Sequence, residues 1–408
     1  QFATSDTREQ AIERFESRIE PAVPWQMIVA YRRYTEQLNN MQGMLTSASQ
    51  IPPLKNLKDT MAGQPSTLVL VIGESTNRQR MSLYGYPRNT TPELDKLRDQ
   101  RAGFDNVSTP RPYTIEALQQ VLTLADGENP DLYLKTPSIV SVMKQAGYKT
   151  FWITNQQTMT KRNTMLTTFS EQADEQVYLN NNRNQNARQY DGDVLAPFSK
   201  ALADTAERKF IVVHLLGTHM SYQYRYPETF EKFTDRQGVP EGISDEQLPI
   251  YNSYDNAVLY NDFVVSSLIK DYAKTDPNGF LLYLSDHGED VYDSAGHSTL
   301  GRNEGKPTAP MYTIPFMAYA SPKWRETHDW SFAADLQRPY SSAQLIHTWA
   351  DLAGLSFDEW DRSKSLVNDS FKPRPRLIGD PYARQQKSLI DFSLLKPKAA
   401  DASDVVLK

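Results

Sequence analysis

Apolar residues gather in short unbroken runs at 67–73, 151–154, 210–216, 280–284 and 315–320. The runs are rich in Val, Ile, Leu and Phe and do not alternate with polar residues, the pattern of strands buried on both faces. Between them apolar positions recur at helical spacing, most clearly over 92–101, 115–124, 138–146, 256–273 and 342–353. This alternation predicts an α/β fold, a mainly parallel central sheet with helices on both faces.

The flanks read differently. Residues 1–60 are expected to form a helical arm and linker. In the stretch 20–45, Trp25, Met27, Ile28, Tyr31 and Tyr34 stand beside Arg32 and Arg33. Such a helix either packs on the domain or lies at a membrane surface, where amphipathic aromatics concentrate. Pro52, Pro53, Gly63 and Pro65 mark 52–66 as the linker into a domain spanning 61–396. The polar stretches 156–208 and 221–251 are expected as insertions over the sheet edge, and 397–408 as a flexible tail.

Composition narrows the function. Hydrophobic content of 39% with 23% charged residues is that of a globular protein, and no apolar run approaches the length of a membrane span. A chain that starts at Gln1 and not Met is expected to be a fragment whose upstream part has been removed. The net charge of −6 leaves no broad basic face for nucleic acid. The absence of cysteine removes disulfides, Cys-ligated metals and a Cys nucleophile.

The chemistry gathers where strands end. The first run ends in Gly73-Glu74-Ser75, the third in Gly217-Thr218-His219 and the fourth in Asp286-His287-Gly288. Ligands of open α/β sheets bind at the carboxyl ends of parallel strands. Parallel strands would therefore bring Glu74, His219, Asp286 and His287 to one edge, as oxygen and nitrogen donors suited to zinc. Gly288 would allow a sharp turn past them, and His297 follows in a polar loop. Thr114 opens the helical pattern of PYTIEALQ. It is placed either as a helix N-cap or as an alcohol at the positive end of the helix dipole, where a phosphate is stabilised. His214, inside its strand, reads as a hydrogen-bonded structural histidine; His347 and His328 read as structural or surface residues.

Four motifs, VIGESTNRQRMSLYGYPRNTTPEL, PYTIEALQ, VVHLLGTH and YLSDHGE, resemble those of the phosphoethanolamine transferases of the Gram-negative envelope, in the same order. That family belongs to the alkaline phosphatase/sulfatase superfamily, and the resemblance runs from about residue 66 to 380. RPYTIEALQ and FWITNQQTMT are most similar to the CptA-type members, which modify the lipopolysaccharide core. The resemblance implies an alkaline phosphatase-like fold and one tightly held zinc ion on Glu74, Thr114, Asp286 and His287, with Thr114 as nucleophile. It implies that His219 and His297 touch the substrate phosphate, as positive hydrogen-bond donors when protonated, or hold a second metal. It further implies a phosphatidylethanolamine donor, a lipopolysaccharide acceptor (core or lipid A) and a covalent phosphoethanolamine-threonine. A five-helix anchor would precede residue 1 and hold a monomeric domain in the periplasm at the inner membrane. A sulfatase-type hydrolase would need a Cys or Ser nucleophile, which a Thr at that position opposes; a non-catalytic metal-bound scaffold would differ only in lacking activity.

Overall fold

The structure, a computed structural model, describes residue 39 and residues 51–158, 164–182, 184, 186–383 and 389–395. Apart from residue 39, the amphipathic stretch at 20–45 lies outside the described residues, as does the tail at 397–408. Among the described residues no helix is long and apolar enough to cross a membrane.

A seven-stranded sheet carries the domain. Its strands are β1 (Ser66–Gly73), β2 (Arg101–Gly103), β3 (Lys149–Thr154), β4 (Glu175–Tyr178), β5 (Arg208–His214), β6 (Phe280–Ser285) and β7 (Phe316–Ala320). The spatial order is β2-β7-β6-β1-β5-β3-β4. The pairs β6–β1, β1–β5, β5–β3 and β3–β4 are parallel, whereas β7 runs antiparallel to both β6 and β2. The expectation of a mainly parallel sheet therefore holds, with an antiparallel edge.

Both faces are covered, which is why β1 is buried along its whole length. Val69, Val71, Ile211, Val213, Leu281 and Tyr283 share one core with α3 (Leu195–Leu202) and α4 (Leu248–Lys274), numbered after α1 (Thr114–Val121) and α2 (Ile139–Gln145). On the opposite face Trp349 of α5 (Leu345–Leu352) lies edge-on to Phe210 at 5.2 Å and to Phe280 at 5.0 Å. Its indole Nε1 donates to the Met143 sulfur of α2.

Several expected boundaries move, each for a tertiary reason. Helix α4 starts at Leu248, not at 256, because its early polar positions are buried rather than solvated. Asp255 accepts from the Arg80 and Arg88 guanidiniums and from the Tyr86 hydroxyl, so charge on this helix faces inward. The helix expected over 92–101 stops at Asp95, and Arg101–Gly103 joins the sheet against β7. The strand expected to reach 216 ends at His214, because the amides of Leu216 and Gly217 turn away to the Asp191 carboxylate. The stretch 156–208 is more than an insertion, since it supplies edge strand β4 and helix α3. Residues 58–59, inside the expected linker, pair with 355–356, and Asp59 bonds Arg208 at 2.7 Å.

His214 is structural, but packing holds it in place of the expected hydrogen bond. Its ring lies edge-on to Trp152 at 6.1 Å and its buried Nε2 has no partner. His347 is also buried, and its Nδ1 accepts from the Asp361 amide, which only an imidazole with a free lone pair can do. Burial lowers both histidines from 6.5 to about 4; for His347 the Lys364 charge adds to it. An unfolded histidine protonates near 6.5, so the stability from keeping these rings neutral is complete above that pH. It is lost as the pH falls toward 4, on the order of 3 kcal/mol per histidine. Denaturant unfolding between pH 7 and 4.5 is expected to show this loss, and His347→Gln to flatten it. A variant with an unchanged slope would place the acid sensitivity elsewhere.

Candidate active site

The carboxyl ends of β1, β3, β5 and β6 converge, and the first residues beyond them build the site. Glu74 leaves β1 fully buried. It can do so because the turn after β5 has no side chain at Gly217. There φ is +57°, and an added Cβ would lie 2.6 Å from the Glu74 carbonyl oxygen. The Thr218 amide then donates to that same carbonyl at 3.0 Å, fixing the Glu74 backbone from the neighbouring strand. Beyond β6, Asp286 Oδ1 accepts from the His287 amide at 2.7 Å and the Ser75 amide at 3.2 Å. Gly288 serves close approach rather than a special turn, since an added Cβ would lie 2.1 Å from the Pro310 carbonyl oxygen.

Thr114 is the first residue of α1; Tyr113 holds the cap position and neither side chain caps the helix. The N-cap reading is therefore replaced by another contact. The Thr114 hydroxyl donates to Glu74 Oε2 at 2.8 Å and lies 3.3 Å from His287 Nε2. His287 Nδ1 faces the Gly288 carbonyl oxygen at 2.7 Å and must donate to it, which leaves the Nε2 lone pair aimed into the site.

The charges are set by burial and by one another. Burial raises the Glu74 carboxyl, but His287, His219 and Arg302 outweigh it and hold the group well below the usual carboxylate range. Burial and the adjacent Glu74 charge push Asp286 well above that range. Burial, with Arg302 adding to it, lowers His287. Burial likewise lowers His219 to about 4, and its Nδ1 is enclosed without a partner. Burial therefore works against the positive charge that the sequence leads one to expect of His219 when protonated.

The ligand atoms of Glu74, Asp286 and His287 all lie within 4.8 Å of one another, and all three residues are buried. Asp286 Oδ2 has no hydrogen-bond partner, an expensive arrangement for a buried carboxylate oxygen unless a cation answers it. Two carboxylates and an imidazole whose Nε2 lone pair faces them are donors of the kind that bind zinc.

A family model described as sulfatase matches residues 66–355. The phosphoethanolamine transferase EptC of Escherichia coli O18:K1:H7 is 57% identical over 398 residues, covering 97% of this chain and 69% of that protein. The chain belongs to the phosphoethanolamine transferases. The phosphoethanolamine transferase CptA of Salmonella typhimurium is 56% identical over the same 398 residues, with the same 97% and 69% coverage. The crystal structure of the C-terminal periplasmic domain of the Escherichia coli EptC in complex with zinc matches with a TM-score of 0.82 at 60% identity. It covers 85% of this chain and 97% of that one. The chain is an enzyme of this transferase family, on a fold of the alkaline phosphatase superfamily.

The transferase's site holds residues that sequence reasoning missed. Arg302 donates through Nη1 to His287 Nε2 at 2.9 Å, and it stands 3.9 Å from Glu74 and 3.6 Å from the buried Glu289. Gln156 Nε2 donates to Glu74 Oε2 at 3.1 Å and to the Leu215 carbonyl at 2.7 Å, tying the β1, β3 and β5 ends together. Both come from polar stretches without periodicity, where the only available signal was position after a strand or after the DHGE motif. His297 is not brought into the cluster by any contact described. Its Nδ1 donates to the Tyr292 carbonyl at 2.6 Å, and its own carbonyl accepts from Gln247 at 2.7 Å.

Proposed function

We propose that this transferase moves phosphoethanolamine from phosphatidylethanolamine to a hydroxyl or phosphate of lipopolysaccharide, at the periplasmic face of a bacterial inner membrane. The single observation that carries the reading is the Thr114 hydroxyl, 2.8 Å from Glu74 and 3.3 Å from His287 in a buried, metal-competent cluster. The names of the relatives and the CptA-type motifs support the group transferred and the acceptor.

Glu74, Asp286, His287 and Thr114 would hold the zinc ion. When bound, zinc supplies Lewis acidity that lowers the pKa of an alcohol and offsets charge on a phosphate oxygen. Ionised Glu74 accepts the Thr114 hydrogen bond and turns the oxygen toward the incoming phosphorus. In the first displacement the Thr114 Oγ–P bond forms and the P–O bond to diacylglycerol breaks. The proton from Thr114 passes to the departing glyceride oxygen. In the second, an acceptor oxygen forms a bond to the same phosphorus, the Thr114 Oγ–P bond breaks, and the acceptor's proton returns to Thr114. Arg302, always charged and close to Thr114's partners Glu74 and His287, is placed to donate to the substrate phosphate. His219 and His297 are assigned to orienting the donor or the acceptor.

Intact-mass analysis of the enzyme given phosphatidylethanolamine without acceptor is expected to show one added phosphoethanolamine, on the peptide containing Thr114. An adduct on another residue, or product formation with no adduct under rapid quench, would overturn this mechanism.

A further inference from the structure

We infer that the apolar cavity bounded by Met220, Tyr222, Pro249, Ile250 and Leu300 receives an acyl chain of the glycerolipid donor, beside the phosphate that Thr114 attacks. The inference rests on the donor reading given above and adds where the lipid part is held.

The cavity, of about 440 Å³, is completed by Ser221, Gln223 and Ser253, and no charged residue lines it. At its mouth Met220 and Leu300 are 48% and 46% exposed, so about half of each apolar side chain lies in water unless something covers it. An ethanolammonium or a phosphate would find no counter-charge there. The Ser253 hydroxyl is already given to the Pro249 carbonyl at 2.8 Å, and the wall formed by Met220, Pro249, Ile250 and Leu300 fits hydrocarbon.

The cavity also lies next to the reacting centre. Met220 follows His219 directly, and Leu300 precedes Arg302 by one glycine. A Cβ added at that glycine, Gly301, would lie 3.8 Å from the Met220 terminal methyl and 3.9 Å from Glu289 Oε1. Glu289 in turn stands 3.6 Å from Arg302, whose other nitrogen bonds His287. One side chain's width therefore separates the apolar wall from the charged site. In the first displacement the leaving group is a diacylglycerol whose chains begin a glycerol's length from the phosphorus. Hydrocarbon held at this distance belongs to the donor, because the acceptor presents its polar part to the same phosphorus.

The test uses zinc-loaded enzyme with methyl-labelled methionine, titrated with dihexanoylphosphatidylethanolamine below its micelle concentration and, separately, with glycerophosphoethanolamine. The Met220 methyl resonance, assigned by Met220→Leu, is expected to move with the acylated donor and not with the headgroup donor. In the first displacement the acylated donor is expected to exceed the headgroup donor by about tenfold or more in kcat/KM, narrowing to under about threefold in Leu300→Gln. A still Met220 methyl, or an unaltered ratio in Leu300→Gln, overturns the assignment if Thr114 is still labelled by the acylated donor. If neither donor labels Thr114, the donor reading fails and this inference fails with it.

Discussion

Thr114→Ala is expected to abolish phosphoethanolamine transfer, on the order of 10⁴-fold or more in kcat, as loss of a nucleophile does in other covalent mechanisms. The helix dipole at the start of α1 stabilises an anion by only about 0.3–1 kcal/mol, too little to ionise a threonine at neutral pH. The site must do the rest, and the hydroxyl is held against the groups that would do it, Glu74 and His287. Because Thr114 does not cap its helix, the alanine variant should lose little stability, about 1 kcal/mol for one hydrogen bond. Thr114→Ser keeps the alcohol and is expected to retain measurable transfer. A folded alanine variant that transfers phosphoethanolamine at a tenth of the normal rate or better would remove Thr114 from the chemistry.

Glu74→Ala and His287→Ala are expected to weaken zinc binding by more than about 100-fold and to silence the enzyme while the sheet stays folded. Glu74 is the hub. Its Oε1 meets Ser75 at 3.0 Å and His287 at 3.1 Å, while Oε2 takes the hydrogen bonds of Thr114 and Gln156. Metal bound to the folded state stabilises it by about 2.7 kcal/mol at a hundredfold excess over Kd. Wild-type protein should therefore melt several degrees lower after chelation and recover with zinc, whereas both variants should melt alike with and without it. Wild-type protein whose melting ignores both chelator and zinc, together with metal analysis finding none bound, would dismiss the metal site. If the variants instead fail to fold, Gln156→Ala gives a second measure: it removes one hydrogen bond to Glu74 and should reduce zinc affinity by about 10-fold or more.

Five of the seven strands are readable from the sequence because burial on both faces leaves an unbroken apolar run, a local signal; β2, Arg101–Gly103, falls where the spacing predicts a helix. The donors at the strand ends were readable for a related reason. An abrupt change from Val and Leu to Glu74 or to Asp286-His287 marks the point where the chain leaves the core. Edge strand β4, EQVY, carries no such mark, since a strand with one free edge can be polar. Asp255 and its neighbours hide the start of helix α4, because their polarity resembles a solvated face until Arg80 and Arg88 are seen to cover it.

What the sequence determined by itself was the class of fold, the strands that end at the site and the donor types there, because each depends on residues close together along the chain. Tertiary structure alone decided the strand order, the antiparallel course of β7 and the turning of the Thr114 hydroxyl away from its helix onto Glu74. It alone brought in Gln156, 82 residues from Glu74, and Arg302, 15 residues from His287 across a loop. These contacts join side chains whose sequence separation carries no periodic signal. Their geometry is set by which strands lie side by side, and that is fixed only when the whole sheet closes its core.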